Sequence, residues 1–316
     1  MKKYDDDLEF GSLNEDSRDS RFIVPIIIVA VLLAIVIAAL VLIGKNGKNK
    51  DTSADPMATE QSETTEAEAQ TTEVMGTIEA TESAEEADAD DPQGSNMVGN
   101  ETGASVDVTA LLSAGSVAES GETTFGIDVA RYQGTIDWSQ VAASGVQFAM
   151  IRVGYRTQKT GEIVADSNAK YNMQEAQVNG IKIGVYFFST AVTEDEAVQE
   201  ADWVADYISQ YQITYPVAFN CEGFENADSR QYAMTQSERT DMAIAFLNEI
   251  YNRGYTPMFY AAKNEMTGDA KWDTSRIEKT YKIWVSQYPT VPYPQTAQSD
   301  YTGTHAMWQY TNQGTV

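Results

Sequence analysis

Apolar and polar positions divide the chain into three stretches. Phe22 to Ile43 is an uncharged apolar run of 22 residues. A bilayer core of about 30 Å takes about 20 helical residues to cross, so this run predicts a transmembrane helix. It is too long for the ~7–15-residue apolar core of a cleaved signal peptide. Residues 44–122 carry almost no apolar periodicity and no aromatic residue, and Gly, Ser, Thr, Ala, Glu and Asp dominate. Such a segment buries too little surface to offset its ordering entropy, which predicts a disordered stalk. Val106–Leu112 is the one part of it with helical potential. From Thr123 onward, apolar runs of strand length alternate with amphipathic helices, the signature of a parallel sheet with crossovers.

Within residues 123–316 the first predicted strand is Phe125–Ala130, followed by a short helix opened by Asp137 and stopped near Gly145. Val146–Val153 is the second strand, and a helix through Tyr171–Val178 ends at Asn179-Gly180. Ile181–Phe188 is the third. Thr193 and Glu196 have capping-box spacing and open a helix burying Ala197, Ala201, Val204 and Ile208. Tyr215–Glu222 is the fourth strand. Thr235 and Glu238 repeat the capping box ahead of Met242, Phe246 and Ile250, with Gly254 as the stop. Tyr255–Tyr260 is a fifth strand, after which helices fade and Lys282–Gln287 and Ala306–Tyr310 read as two more. The expected fold is α/β: an irregular TIM-like barrel of five βα units plus further strands. Closure takes about eight strands, so the last is expected to lie beyond Val316.

Charge narrows the function classes. Lys and Arg number 21 against 47 Asp and Glu, a formal charge of -26. Residues 51–120 hold seventeen acids and neither Lys nor Arg, so like-charge repulsion extends the stalk. Nucleic acid, which requires basic patches, is excluded as a partner. The single cysteine, Cys221, excludes an intrachain disulfide and a cysteine metal cluster, and one histidine, His305, argues against a His-rich metal site. No metal or cofactor is expected.

Candidate chemistry gathers at the fourth strand. Side chains alternate along a strand, so Asn220 and Glu222 share one face while Phe219 and Cys221 take the other. In a barrel this places an amide and a carboxyl at the C-terminal mouth, where barrel active sites are built. Cys221, on the helix side, reads as a small core residue.

Six pieces in order then match a known family. They are Gly126-Ile-Asp-Val-Ala-Arg-Tyr-Gln-Gly134 with Ile136-Asp-Trp138, Phe148–Tyr155, Gly184–Ser189, Pro216–Glu222, Ile283–Tyr288 and Met307–Thr311. Residues 125–316 resemble the glycoside hydrolase family 25 lysozymes, the N-acetylmuramidases of Chalaropsis and phage-endolysin type. The resemblance implies a barrel of five βα units with three further strands. It also implies a substrate, the β-1,4 bond after N-acetylmuramic acid in peptidoglycan glycan strands. By the same resemblance Glu222 is the general acid and Asp128 the first-strand acid; an ion pair of Asp128 with Arg152 is a further reading compatible with that role. Asn220 joins them as a catalytic candidate. Tyr186, Tyr260, Trp284 and Trp308, together with Tyr132, Tyr155 and Tyr310, are candidates to stack on sugar faces. Gln287 and Gln309 are candidates for acetamido and hydroxyl groups, and Arg152 completes the substrate-binding set. His305 reads as structural.

Two departures accompany the match. The family's strand-four Asp-x-Glu reads Asn220-Cys-Glu222, and its last acidic position falls beyond Val316. Two expectations follow. One is a single-pass membrane protein with residues 1–21 inside and an extracellular muramidase on a Gram-positive-type cell. The other is a catalytically weak or inactive peptidoglycan-binding barrel. Basic residues flank Phe22–Ile43 on both sides, so the expected orientation rests on where the substrate lies rather than on the charge count.

Overall fold

The computed structural model describes residues 90–93, 102–113 and 123–316. The tail 1–21, the apolar run Phe22–Ile43 and most of the stalk lie outside them. Among the described residues no helix is long and apolar enough to cross a membrane.

The stalk is not featureless throughout. Val106–Asp107 (β1) leads into the helix Val108–Ser113 (α1), and β1 pairs in parallel with Gly314–Thr315 (β10). Nearby, Gly103 N donates to Asn312 Oδ1 at 3.0 Å, and Thr311 Oγ1 donates to the Ala104 carbonyl at 2.7 Å. A disordered stalk over the whole of 44–122 therefore needs correcting at 90–93 and 102–113. The partners of 102–113 lie some two hundred positions away and those of 90–93 lie 40 to 93 positions away, where no local pattern can reveal them.

The barrel region runs Gly126–Val129 (β2), Trp138–Ala143 (α2), Phe148–Arg156 (β3), Ile163–Ala165 (β4), Ala169–Val178 (α3), Lys182–Phe188 (β5) and Glu194–Ile208 (α4). It continues with Ile213–Asn220 (β6), Gln236–Asn252 (α5), Pro257–Ala262 (β7), Lys263–Met266 (α6), Thr274–Glu278 (α7), Lys282–Ser286 (β8) and Met307–Gln309 (β9). Strand order is β2-β3-β5-β6-β7-β8-β9, all parallel, a curled sheet that fits a TIM-like barrel. The unforeseen β4 hangs antiparallel on the end of β3. Gly154 permits it, since a Cβ there would stand 2.5 Å from the Val164 carbonyl oxygen.

Helix starts follow their caps. Asp137 accepts from Ser139 N and Gln140 N at 3.1 and 3.2 Å. Thr235 and Glu238 form a reciprocal capping box, in which Thr235 N donates to Glu238 Oε2 at 2.8 Å. At α4 the box is half made: Thr193 accepts from Glu196 N, but the Glu196 carboxylate takes Val192 N. Each such cap is worth about 1 kcal/mol.

Strand alternation builds two cores. Ile151, Val185, Phe187, Phe219 and Phe259 point outward beneath the helices, while Phe148, Met150, Tyr186, Ala218, Met258, Tyr260 and Trp284 fill the interior. Full burial of such a side chain contributes about 1.5–3 kcal/mol. At the N-terminal end of the barrel, Phe148 stacks on Tyr215 with centroids 4.2 Å apart. The interior is thus packed below and opens at the strands' C-terminal ends.

Candidate active site

Period-two alternation carries the inward row of each strand to the mouth. Met150 leads to Arg152 on β3, Ala218 to Asn220 and then Glu222 past β6, and Met258 to Tyr260 on β7. The outward partners Phe219 and Cys221 sit in the helix-side core as expected. Gly223, at φ 67°, turns the chain away immediately after Glu222. A cleft of about 930 Å³ results, within the size range of small-molecule sites. Asp128, Asn220, Glu222, Tyr186, Tyr260, Trp284, Gln287, Trp308 and Gln309 all line it. Arg152, the remaining candidate, is fully buried behind it.

Asp128 does not pair with Arg152. Gln309 Nε2 donates to both of its carboxylate oxygens at 3.0 Å. Gln309 Oε1 in turn accepts from the hydroxyls of Tyr260 at 3.1 Å and Tyr288 at 2.7 Å. The amide is held from both sides, with its donors aimed at Asp128. Burial pushes the Asp128 carboxyl above its ordinary value, and the Gln309 donors partly oppose this. Arg152 instead engages Asp166, with Nε donating to Oδ2 at 2.7 Å, and Asp91 from the stalk.

Glu222 is only partly buried as a residue, yet its carboxyl is strongly desolvated. Burial pushes it up to about 7, the Tyr260 hydroxyl holds it back, and the Asp128 charge adds to the rise. An acid with that value is half protonated near neutrality, as a proton donor requires. Asn220 is buried, and its Oδ1 has no hydrogen-bond partner. A buried carbonyl oxygen without a donor is costly to leave unmet, so it is suited to an incoming N–H.

The aromatic candidates separate by depth. Tyr186, Tyr260 and Trp284 pack edge to face at the cleft floor, with Trp284 centroids 6.3 Å from Tyr186 and 4.7 Å from Tyr260. Tyr155 is wholly buried, with the Arg152 guanidinium 5.0 Å from its ring, and cannot serve as a sugar platform. Tyr132 is exposed, and Trp308 is half-buried with Nε1 donating to the Gln287 carbonyl at 2.8 Å. The Gln287 side chain accepts from Ser299 Oγ at 3.1 Å. His305 Nδ1 lies 3.3 Å from the Gly303 carbonyl, and its ring stands edge-on to Tyr301 with centroids 5.9 Å apart. Cys221 donates to Gln231 Oε1, and burial pushes its thiol well up, away from nucleophile chemistry.

Sequence reasoning missed Glu265. It enters the cleft from α6, and burial pushes its carboxyl up to about 8, with the Glu222 charge contributing. No motif marks it, because a turn-length helix has no period to read.

The model of the glycosyl hydrolases family 25 matches residues 127–316. No curated protein sequence matches the chain. Similar solved structures include the spore cortex lytic enzyme SleM of Clostridium perfringens. It shares 18% identity at a TM-score of 0.50, over 63% of this chain and 64% of that one. A family 25 glycosyl hydrolase from Bacillus anthracis matches at 17% identity and TM-score 0.46, over 67% and 84%. The modular autolysin LytC from Streptococcus pneumoniae matches at 22% and 0.48, over 58% of this chain, which spans 42% of the autolysin's length. Identities this low speak to the fold alone.

Proposed function

The chain belongs to glycoside hydrolase family 25 and is a glycosidase, and from that premise we propose that it hydrolyses the β-1,4 bond after N-acetylmuramic acid in peptidoglycan. The observation that carries this reading is the pairing of unlike carboxyls in one cleft. Glu222 is raised to about 7 beside an Asp128 anchored by two Gln309 hydrogen bonds. One group keeps a proton for the leaving oxygen, and the other supplies negative field for the oxocarbenium-like charge.

Asn220 sets the form of the mechanism. An amide cannot act as an anionic nucleophile, so no covalent glycosyl-enzyme forms through it. The muramic 2-acetamido oxygen attacks the anomeric carbon instead, while Asn220 Oδ1 accepts the acetamido N–H and orients the group. Glu222 protonates the departing glycosidic oxygen as that bond breaks. Its carboxylate then takes a proton from the water that opens the cyclic intermediate, which returns Glu222 to its acid form. Some glycosidases use such substrate assistance.

The run Phe22–Ile43 tethers the enzyme as a single-pass membrane protein with residues 1–21 inside and the barrel on the outer face of a Gram-positive-type cell. A second reading, a peptidoglycan-binding barrel with little or no activity, draws its support from Asn220 standing where the family carries an acid. Borohydride reduction of sacculi digested by the full-length chain separates the two. Reduced muramic acid at the new ends supports hydrolysis, and undigested sacculi that retain bound protein support the binding barrel.

A further inference from the structure

A short piece of the stalk sits at the edge of the catalytic cleft. Asp90 is fixed to the β3–β4 connection, where its carboxylate accepts from Lys159 N at 2.7 Å. The Asp91 side chain is fully buried. It accepts from Arg152 Nη1 at 3.0 Å and Nη2 at 2.7 Å, and from Arg131 Nε at 3.0 Å. Gln93 then accepts from Arg152 Nη1 at 2.8 Å, lies 3.4 Å from the Tyr186 hydroxyl, and lines the same cleft as Glu222.

Charge balance explains why this segment docks. At this corner the barrel's own Asp166 accepts from the Nε edge of Arg152 and from the Arg131 backbone N–H. The two-pronged Nη edge of a buried guanidinium remains, and leaving it without an acceptor is expensive. A carboxylate fits that edge in bidentate fashion. In the segment Asp90-Asp91-Pro92-Gln93 the Asp91 carboxylate makes the charged contacts with both arginines, and Asp90, the buried Pro92 and Gln93 support it.

Building on the peptidoglycan reading, we propose that Arg131 and Arg152 form a carboxylate-binding subsite beside the glycan cleft. Asp91 fills it in the free chain, and a stem-peptide carboxylate of the substrate fills it in the complex. The two occupants compete, so the stalk restrains its own enzyme until a strand bearing stem peptides arrives. A neutral N-acetylated glycan has no group to displace Asp91, and the subsite thereby favours peptidoglycan over chitin-like chains.

The test uses the full-length chain carrying Glu222→Gln, so that bound fragments are not consumed. Two disaccharide-peptide probes are titrated, one with free stem carboxylates and one with those carboxylates amidated. Asp91→Asn is expected to tighten binding of the free-carboxylate probe about tenfold, the factor gained when an occupant present ~90% of the time is released. The amidated probe is expected to gain much less. Equal affinity of the free-carboxylate probe with and without Asp91→Asn overturns the subsite, as does an equal gain for both probes. A second variant, Asp90→Cys with Lys159→Cys, locks the segment by a disulfide. The oxidised form is expected to lose the free-carboxylate probe and the reduced form to regain it, whereas equal binding in both states overturns the proposal. If no variant binds either probe, the peptidoglycan reading falls together with the subsite, a result distinct from binding that ignores Asp91.

Discussion

Gln309 Nε2 donates to both carboxylate oxygens of Asp128, at 3.0 Å to each, and so joins the last inner strand of the sheet to the first. The bond spans residues that are 181 apart in sequence. Because Tyr260 and Tyr288 hold the other end of the same amide, the side chain cannot turn to present its oxygen to Asp128 without losing four hydrogen bonds. Gln309→Leu keeps the volume and removes them all. The Asp128 carboxyl, already raised by burial, then rises further, because the donors that opposed the rise are gone. The acid limb of the pH profile of kcat/KM is expected to move to higher pH, with a stability loss of about 1–3 kcal/mol. An unmoved acid limb contradicts a catalytic role for the ionised Asp128.

Glu222 should weaken the fold it serves. Its carboxyl sits at about 7 in the folded protein against an ordinary 4.5. Between those values the folded state holds a proton that the unfolded state has released, so stability declines as pH rises through this window and stays reduced above it. Glu222→Gln has no such group. Its Tm is expected to exceed that of the natural chain, by a margin that opens between about 4.5 and about 7. Melting curves with a constant difference across that range would contradict the raised carboxyl.

Asn220→Asp restores the acid of the family pattern at the residue whose own Oδ1 lacks a donor. Activity is expected to increase, provided that Glu222 does not force the new carboxyl to hold its proton. Steady-state kinetics on both forms decide the matter. If the natural chain and the variant are both inactive, the binding-barrel reading stands.

The topology has its own test. Protease added to intact protoplasts is expected to release the barrel, whereas a fully protected barrel contradicts an outward-facing domain.

Much of the site was legible because it rests on local rules. Alternation alone placed Asn220 and Glu222 inward and Phe219 and Cys221 outward, and the Thr235–Glu238 spacing marked the start of α5 to the residue. What escaped depends on distant partners. An ion pair between Asp128 and Arg152 was reasonable for neighbouring strands, but Asp91 and Asp166 outcompete it, and nothing near Asp91 in sequence announces a buried partner. Tyr155 looked like a sugar platform because aromatic character says nothing of depth. Strand β4 is only three residues long, too short for its alternation to register.

The central claim is that Glu222 delivers the proton to the leaving sugar. Release of reducing ends from purified peptidoglycan, measured near neutral pH for the full-length chain and for its Glu222→Gln variant, tests it most directly. The natural chain is expected to release muramic-acid ends, and the folded variant to fall by about 10²–10⁴-fold, the usual contribution of general acid–base catalysis. Near-normal turnover by the variant would contradict it.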